Sequence, residues 1–194
     1  MKTLLLCLLF VNSTWATPDV DWYEGSIVLA NETVLTGMIA VDEHHHFVLY
    51  KHENGRADFY PAFLVREAFY YDLNEDLNRH FRALASRSGN FVTIKLYEVV
   101  VGGLIKVMRL AKNQPCVTKV PDRDNYEYLV QHESALLPLR ELRGSLFAKL
   151  SETIPSLREF VKRERLSLYS DADLITIVQY VNRSRRAETL LSLN

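Results

Sequence analysis

The stretch that decides the fold is FVTIKLYEVVVGGLIKVMRL, residues Phe91–Leu110. Two apolar runs rich in β-branched residues flank Gly102 and Gly103. Glycine reaches positive φ without steric cost, which the tightest hairpin turns require. The pattern therefore predicts two antiparallel strands joined by a two-residue loop, with Val101 facing Leu104.

The predicted hairpin also brings charged side chains together. Glu98 and Arg109 become diagonal neighbours on one face, so we expect a structural ion pair, with a catalytic Glu98 as the alternative. Both faces carry more apolar than polar residues, which predicts that both are covered. A lone hairpin is marginal in water, so the segments before and after it must complete the structure.

The chain before the hairpin reads as short strands. Their spacing of about ten residues predicts a small antiparallel barrel or sandwich to which the hairpin is added. Leu77–Leu84 fits a short helix or a further strand, and Lys112–Asn125 reads as a loop. The other candidate strands are Gly25–Ala30, Thr33–Val41, Phe47–Lys51, Arg56–Tyr60, Phe63–Asp72, Tyr126–Gln131 and Ala135–Leu139.

After residue 139 the apolar period changes from two to about 3.6. Leu142, Leu146 and Leu150 form one helical stripe, Pro155 begins a second helix, and Ser170 is a suitable N-cap for a third. The sequence thus predicts an α+β protein. Residues 17–139 form a β-rich body, and residues 140–194 form a cap of about three helices packed on it.

The first sixteen residues predict a secretory signal peptide. Lys2 precedes the short apolar run Leu4–Val11, and the small residues Thr14 and Ala16 mark a cleavage site. The run is far shorter than the roughly 20 residues of a membrane span, and no later stretch is long enough. We therefore expect an exported chain, periplasmic or extracellular, that begins at Thr17.

The two cysteines support no disulfide in the mature chain. Cys7 is removed with the signal peptide, and lipid anchoring through it is not expected because Leu6 stands where a small residue is required. Cys116 is then alone, and an exported chain with one cysteine must rely on its core for stability. A nucleophilic role for Cys116 is disfavoured, since nothing near it in sequence resembles an activating site.

Composition excludes some function classes. The 194 residues carry a net charge of −1 with a sequence pI near 6.6, so no basic field attracts nucleic acid. The sequence contains no GxSxG, HExxH, CxxC, GxGxxG or GxxxxGK motif. We expect no cofactor, and the commonest enzyme signatures are absent.

Two groups of side chains are candidates for a site. His44 and His46, in a turn between strands, could bind a metal ion together with His52, whereas the alternative is a hydrated loop tip. Tyr60, Phe63 and Tyr70 belong to a dense aromatic stretch that could line a groove for a sugar or a peptide. The alternative for these aromatics is core and sheet surface.

Part of the chain resembles a known group. GSIVLANETVLTG at Gly25–Gly37 resembles the G-x-I-V-L-x-x-G-x-x-x-x-G opening of uncharacterised exported proteins of Bacteroidetes-type bacteria, with Asn31–Glu32 in place of the usual turn glycine. Tyr97–Val107 resembles their strand pair, and Tyr180–Asn182 resembles their tyrosine–asparagine ending. The resemblance implies export and this layout, and it carries over no catalytic residue.

Three functions follow as hypotheses. The first is an exported, non-catalytic envelope protein that binds a protein or glycan partner through its β surface. The second is a hydrolase with converging carboxylates or histidines, and the third is a metal-binding protein. A cleft with two acidic groups or a His–acid pair would favour the enzyme, while a flat aromatic patch or an open sheet edge would favour the binder.

Overall fold

The computed structural model describes residues 20–88, 90–112, 125–132 and 135–191. In this part of the chain, ten strands are followed by three α-helices, which confirms the α+β prediction. The predicted signal peptide, Cys7 and Cys116 lie outside the described residues. The strands are β1 Tyr23–Leu29, β2 Val34–Asp42, β3 Phe47–Lys51, β4 Ala57–Pro61, β5 Val65–Asp72, β6 Leu77–Ser88, β7 Phe91–Val101, β8 Ile105–Ala111, β9 Tyr126–His132 and β10 Ala135–Pro138. The helices are α1 Ser145–Thr153, α2 Ser156–Arg163 and α3 Asp171–Leu191.

All ten strands belong to one antiparallel sheet, in the order β10-β9-β8-β7-β6-β5-β1-β2-β3-β4. The sheet is open, because β4 and β10 each pair on one side only. The predicted small barrel or sandwich with an added hairpin is therefore corrected: the hairpin strands β7 and β8 lie inside the same continuous sheet. In the described part of the chain, no helix is both long and apolar enough to cross a membrane.

Two local predictions are decided by the structure. Leu77–Leu84, which fitted either a helix or a strand, lies in β6. Phe63 does not begin a strand, because Ala62–Leu64 forms a short 3₁₀ helix and β5 starts at Val65. The Asn-Gly turn forms as expected between β3 and β4, and it is closed by the amide of His52 donating to the carbonyl of Arg56 at 2.8 Å.

One face of the sheet supports two cores. Directly paired residues lie on the same face, and Ile27, Ala68, Phe81, Glu98 and Arg109 form one row across five strands. At one end of this row lies the N-terminal core, formed by Ile27, Ile39, Val48, Ala62, Val65, Ala68, Tyr70, Phe81 and Leu96. At the other end the helices pack on β7, β8 and β9 to form the C-terminal core, formed by Val101, Ile105, Val107, Val130, Leu139, Leu142, Leu146, Leu150, Ile154, Leu157, Leu174, Ile177, Val178 and Val181.

The hairpin differs from its predicted register. Val99 pairs with Met108, but the next pair is Val101 with Val107, so a bulge at Val100 adds one residue to β7. Val101 therefore does not face Leu104, and the turn is longer than the two glycines. The bulge returns the side chain of Val101 to the face of Val107, where both join the C-terminal core.

The side-chain amide of Asn182 on α3 binds main-chain groups at the turn of this bulged hairpin. Its Oδ1 accepts from the Ile105 amide at 3.0 Å, and its Nδ2 donates to the carbonyls of Ile105 at 2.7 Å and Gly102 at 3.1 Å. Asn182 thus satisfies main-chain groups that a regular hairpin would pair between strands. We call these three hydrogen bonds the hairpin clamp.

Neighbouring contacts hold the clamp in position. Two residues before Asn182, the ring of Tyr180 stacks on Phe160 with centroids 3.9 Å apart, and its hydroxyl donates to Ser156 at 2.8 Å. At the start of α3, the amide of Asp173 donates to the predicted N-cap Ser170 at 3.4 Å. The tyrosine–asparagine ending is therefore a pair of tertiary contacts, one to α2 and one to the hairpin.

The two turn glycines provide a matched test of the clamp. Gly103 has φ +132°, and an added Cβ would lie 2.7 Å from Asn182, whereas a Cβ on Gly102 meets nothing within 4 Å. We expect Gly103→Ala to lower the free energy of unfolding by about 2 kcal/mol or more, and Gly102→Ala to change it little. Asn182→Ala should cost about 2 kcal/mol through unsatisfied main-chain groups, and exposed Gln179→Ala in the same helix is its control. Urea denaturation measures all four, and equal effects of the two glycine variants would contradict the clamp.

Candidate functional site

A cleft of about 590 Å³ opens beside the turn between β2 and β3. It lies at the border of the N-terminal core, where the curled sheet brings this turn close to β9. Its wall contains five aromatic side chains from five different strands, namely Tyr23, Phe47, Phe59, Tyr70 and Tyr126. A concave site lined by aromatic groups with a few polar groups is the usual form of a ligand pocket.

The aromatic groups differ in depth. Tyr70 is only 9% exposed, lies against Tyr23 with centroids 4.6 Å apart, and burial raises the pKa of its phenol. Phe59 is 57% exposed and packs against Phe47 with centroids 4.7 Å apart. The strand register places Tyr23 and Tyr70 on the core-bearing face of the sheet, where they form the buried floor of the cleft, and places Phe47 and Phe59 on the opposite face. All four line the cleft, and the accessible pair Phe47–Phe59 is called the aromatic platform below.

A buried ion network lies next to the floor of the cleft. Glu98 is 5% exposed and accepts hydrogen bonds from Arg79 at 3.0 and 3.1 Å and from Arg109. Arg79 also reaches Asp72 at 3.4 Å, and the guanidinium of Arg109 lies 4.1 Å from the ring centroid of Tyr126. The predicted pairing of Glu98 with Arg109 is confirmed, with the two residues directly opposite rather than diagonal. Glu98 therefore has a structural role between two arginines.

Four carboxyl groups line the cleft, those of Asp21, Asp42, Glu43 and Asp72. Burial, and next the charge of Glu98, raises the pKa of the Glu43 carboxyl despite a hydrogen bond with Tyr126. Burial opposes ionisation of Asp42 as well, but hydrogen bonds from His45 outweigh it and lower the pKa of Asp42. Adjacent carboxyls in the same turn therefore differ in their affinity for a proton.

The geometry of the turn explains the difference between the two carboxyls. Oδ1 of Asp42 accepts from the amides of His44 at 3.0 Å and His45 at 2.8 Å, and Oδ2 lies 2.8 Å from Nδ1 of His45. Asp42 thus caps the turn through three contacts. Glu43 instead points back toward the ion network, where it is near the like charge of Glu98.

The predicted aromatic residues occupy three environments. Tyr70 lines the cleft, Tyr60 is half-buried at the edge of the N-terminal core, and Phe63 is 64% exposed on the 3₁₀ helix. The structure places only Tyr70 in the cleft, so the three do not form one groove. A binding role for Tyr60 and Phe63 stays a prediction.

The predicted histidine ligands are not brought together. His52 lies 2.7 Å from Asp58 at the far end of β3, and His44 lines the cleft. His46 adopts φ +57° in the turn, and burial, together with the nearby charge of Lys95, lowers its pKa. Among the described residues no group of three or more histidine, cysteine or acidic side chains is arranged to hold a metal ion.

Sequence reasoning missed most of the cleft. Phe47, Glu43 and Tyr126 were each placed in a strand or turn, yet nothing in their spacing indicates that residues 43 and 126 meet. A weak signal existed in the turn itself, where Asp42 and Glu43 precede the histidines. Residues 43 and 126 meet only because the whole sheet is curled, and local sequence patterns do not encode this curl.

The ion network generates a stability prediction. Glu98→Gln leaves two arginines without their shared anion, and removing one partner of a buried ion pair costs about 3 kcal/mol or more. The control is Glu164→Gln, which breaks the exposed pair with Arg163 at 2.9 Å and should change stability by less than about 0.5 kcal/mol. Urea denaturation compares the two, and a similarly small effect for both would show that Glu98 is dispensable.

Glu43 generates a prediction about pH. Its carboxyl has a folded-state pKa above the ordinary value of 4.5, so its stabilising contribution is present below that value and is lost as pH rises through the folded pKa. Glu43→Gln should therefore gain stability relative to the natural chain between about pH 4 and about pH 7.5. Urea midpoints across this range measure the gain, with Glu53→Gln in the exposed β3–β4 turn as the control. A gain that is the same at both ends of the range would refute the raised pKa.

Comparison of the chain with protein-family models, with curated proteins and with solved structures finds no match.

Proposed function

We propose that this chain is an exported, non-catalytic protein of a bacterial envelope that binds a partner through its β surface, and that the partner is a glycan held in the cleft. The aromatic platform is the observation that carries the proposal. Sugar rings present apolar C–H faces that pack on aromatic faces, and an accessible ring beside a concave site is suited to this contact. The predicted signal peptide and the resemblance of Gly25–Gly37 to exported bacterial proteins support the compartment.

The position of the platform supports a glycan over a protein partner. Phe47 and Phe59 lie on neighbouring strands and face a concave site of bounded volume. A protein strand would instead use the open edge at β4, where it could form main-chain hydrogen bonds. Exposed Phe59 lies on that same edge strand, so a protein partner is the competing occupant of this region.

The second candidate function is a hydrolase. It is favoured by one observation, the opposite pKa shifts of Asp42 and Glu43. Two carboxyls whose environments move their pKa values apart can act as an acid and a base in one site. Against this role, Asp42 is already engaged in three contacts within the turn, which a base facing substrate would have to give up.

Co-sedimentation with insoluble polysaccharides tests the proposal, and the exposed phenylalanines offer a matched pair. Phe59→Ala removes the accessible half of the platform and should weaken binding about tenfold or more, while Phe91→Ala, which is also exposed but lies outside the cleft, should leave it unchanged. The protein is expressed with its own residues 1–16, and recovery outside the cytoplasm of a chain that begins at Thr17 tests the proposed export.

Three results would contradict the proposal. Equal losses from both phenylalanine variants would show that binding is not through the cleft. Release of soluble sugar during the assay, abolished by Glu43→Gln, would establish the hydrolase instead. Retention of the natural chain in the cytoplasm would overturn export.

A further inference from the structure

We infer that the glycan bound in the cleft carries free, positively charged amino groups, so that the cleft selects de-N-acetylated amino sugars over their N-acetylated forms. This inference rests on the proposed function and names the ligand class for the same site. It is carried by the placement of carboxylates beside the aromatic platform and by the imbalance of charge in the cleft.

The charge of the cleft is not neutralised from within. Four carboxyl groups line it, and Arg79 is its one arginine or lysine among the described residues. The guanidinium of Arg79 is fully engaged, since its nitrogens contact Glu98 at 3.0 Å, Asp72 at 3.4 Å and Glu75 at 3.1 Å. Its charge and that of the nearby Arg109 also act on Glu43, so two arginines face the four carboxyl groups of Asp72, Glu75, Glu98 and Glu43. The excess of negative charge faces the space that a ligand would enter.

The sheet register places this charge beside the platform. Asp42 and Phe47 are direct partners across β2 and β3, and their side chains therefore lie on the same face. Phe59 packs on Phe47 from the next strand. A sugar ring lying on these two aromatics presents its substituents toward Asp42. An ammonium substituent at that position meets a carboxylate and lies beside an aromatic face, and both contacts favour a cation.

The same arrangement disfavours an N-acetyl group. A neutral amide displaces water from the carboxylates without supplying a compensating charge, which is costly in a partly buried site. Glu43 strengthens the effect, because it lies close to the like charge of Glu98 and gains from any added cation. Discrimination thus comes from one nitrogen substituent on an otherwise identical chain of sugars.

Calorimetric titration with two soluble oligosaccharides of equal length tests this inference. One is an oligomer of β-1,4-linked glucosamine and the other is its fully N-acetylated counterpart. Both are titrated at a pH low enough for the sugar amines to be charged while Asp42 stays ionised, since hydrogen bonds from His45 lower the pKa of Asp42. We expect the glucosamine oligomer to bind at least about tenfold more tightly. Raising the salt concentration should reduce the preference.

Variants identify the groups responsible. The double variant Asp42→Asn, Glu43→Gln removes two charges while keeping the Asx cap of the turn and the shape of both side chains. We expect it to reduce the preference to about twofold or less, with Glu53→Gln and Asp76→Asn, which lie outside the cleft, as the charge-matched control. Phe59→Ala should weaken binding of the glucosamine oligomer in either background. Circular dichroism of each variant confirms that the fold is retained.

Each remaining outcome decides a different claim. If both oligomers bind equally and Phe59→Ala weakens both, the amine selection is wrong and the glycan site stands. If neither binds, or if Phe59→Ala has no effect on either, both the inference and the proposed glycan function fail. If a lysine-rich peptide of similar charge binds more tightly than the glucosamine oligomer, the ligand is a peptide and both are overturned.

Discussion

The anion of Glu98, held between Arg79 and Arg109, is the constraint around which the rest of the structure is arranged. It lies in a row of side chains that runs from the N-terminal core toward the C-terminal core, with Phe81 beside it on β6 and Arg109 beside it on β8. A buried carboxylate is tolerated only where its hydrogen-bonding capacity is filled. The register of β6, β7 and β8 that supplies both arginines is therefore favoured over any shifted register.

This arrangement also places the cleft. The network needs a polar surround, and Asp72, Tyr126 and Glu43 provide it at the border of the N-terminal core. The same groups line the space into which a ligand would fit. The ion network and the cleft thus share side chains, and the carboxyl groups of the cleft lie next to a network that joins two halves of the sheet.

The local features of the fold could be predicted from the sequence. Strand alternation, the Asn54-Gly55 turn and the N-cap at Ser170 depend on neighbouring residues, and each forms as expected. The strand order could not be predicted, because β5 returns to pair with β1 across the whole β2–β4 meander. An open sheet, a sandwich and a closed barrel share the same strand spacing, so spacing alone could not decide between them.

The hairpin and the site show the same limit. The glycine pair correctly indicated a reversal, but the turn that follows the bulge at Val100 is bound by Asn182, which lies 77 residues beyond Ile105. Tyr70 was predicted as a site residue because it lies in a dense aromatic stretch, and it lines the cleft, whereas Phe59, which also lines the cleft, was not among the predicted site residues. Long-range contacts decided both cases, and single-sequence periodicity contains no record of them.

The hairpin clamp has a consequence for how the protein acquires its structure. The main-chain amide of Ile105 donates a hydrogen bond to Asn182, which is synthesised 77 residues later. Contacts of such sequence separation form late in folding, because a long loop must close first. Until α3 has been synthesised, the turn between β7 and β8 lacks the three hydrogen bonds of the hairpin clamp. The C-terminal half therefore completes its packing only after α3 has been synthesised, because the turn between β7 and β8 is bound by a residue of that helix.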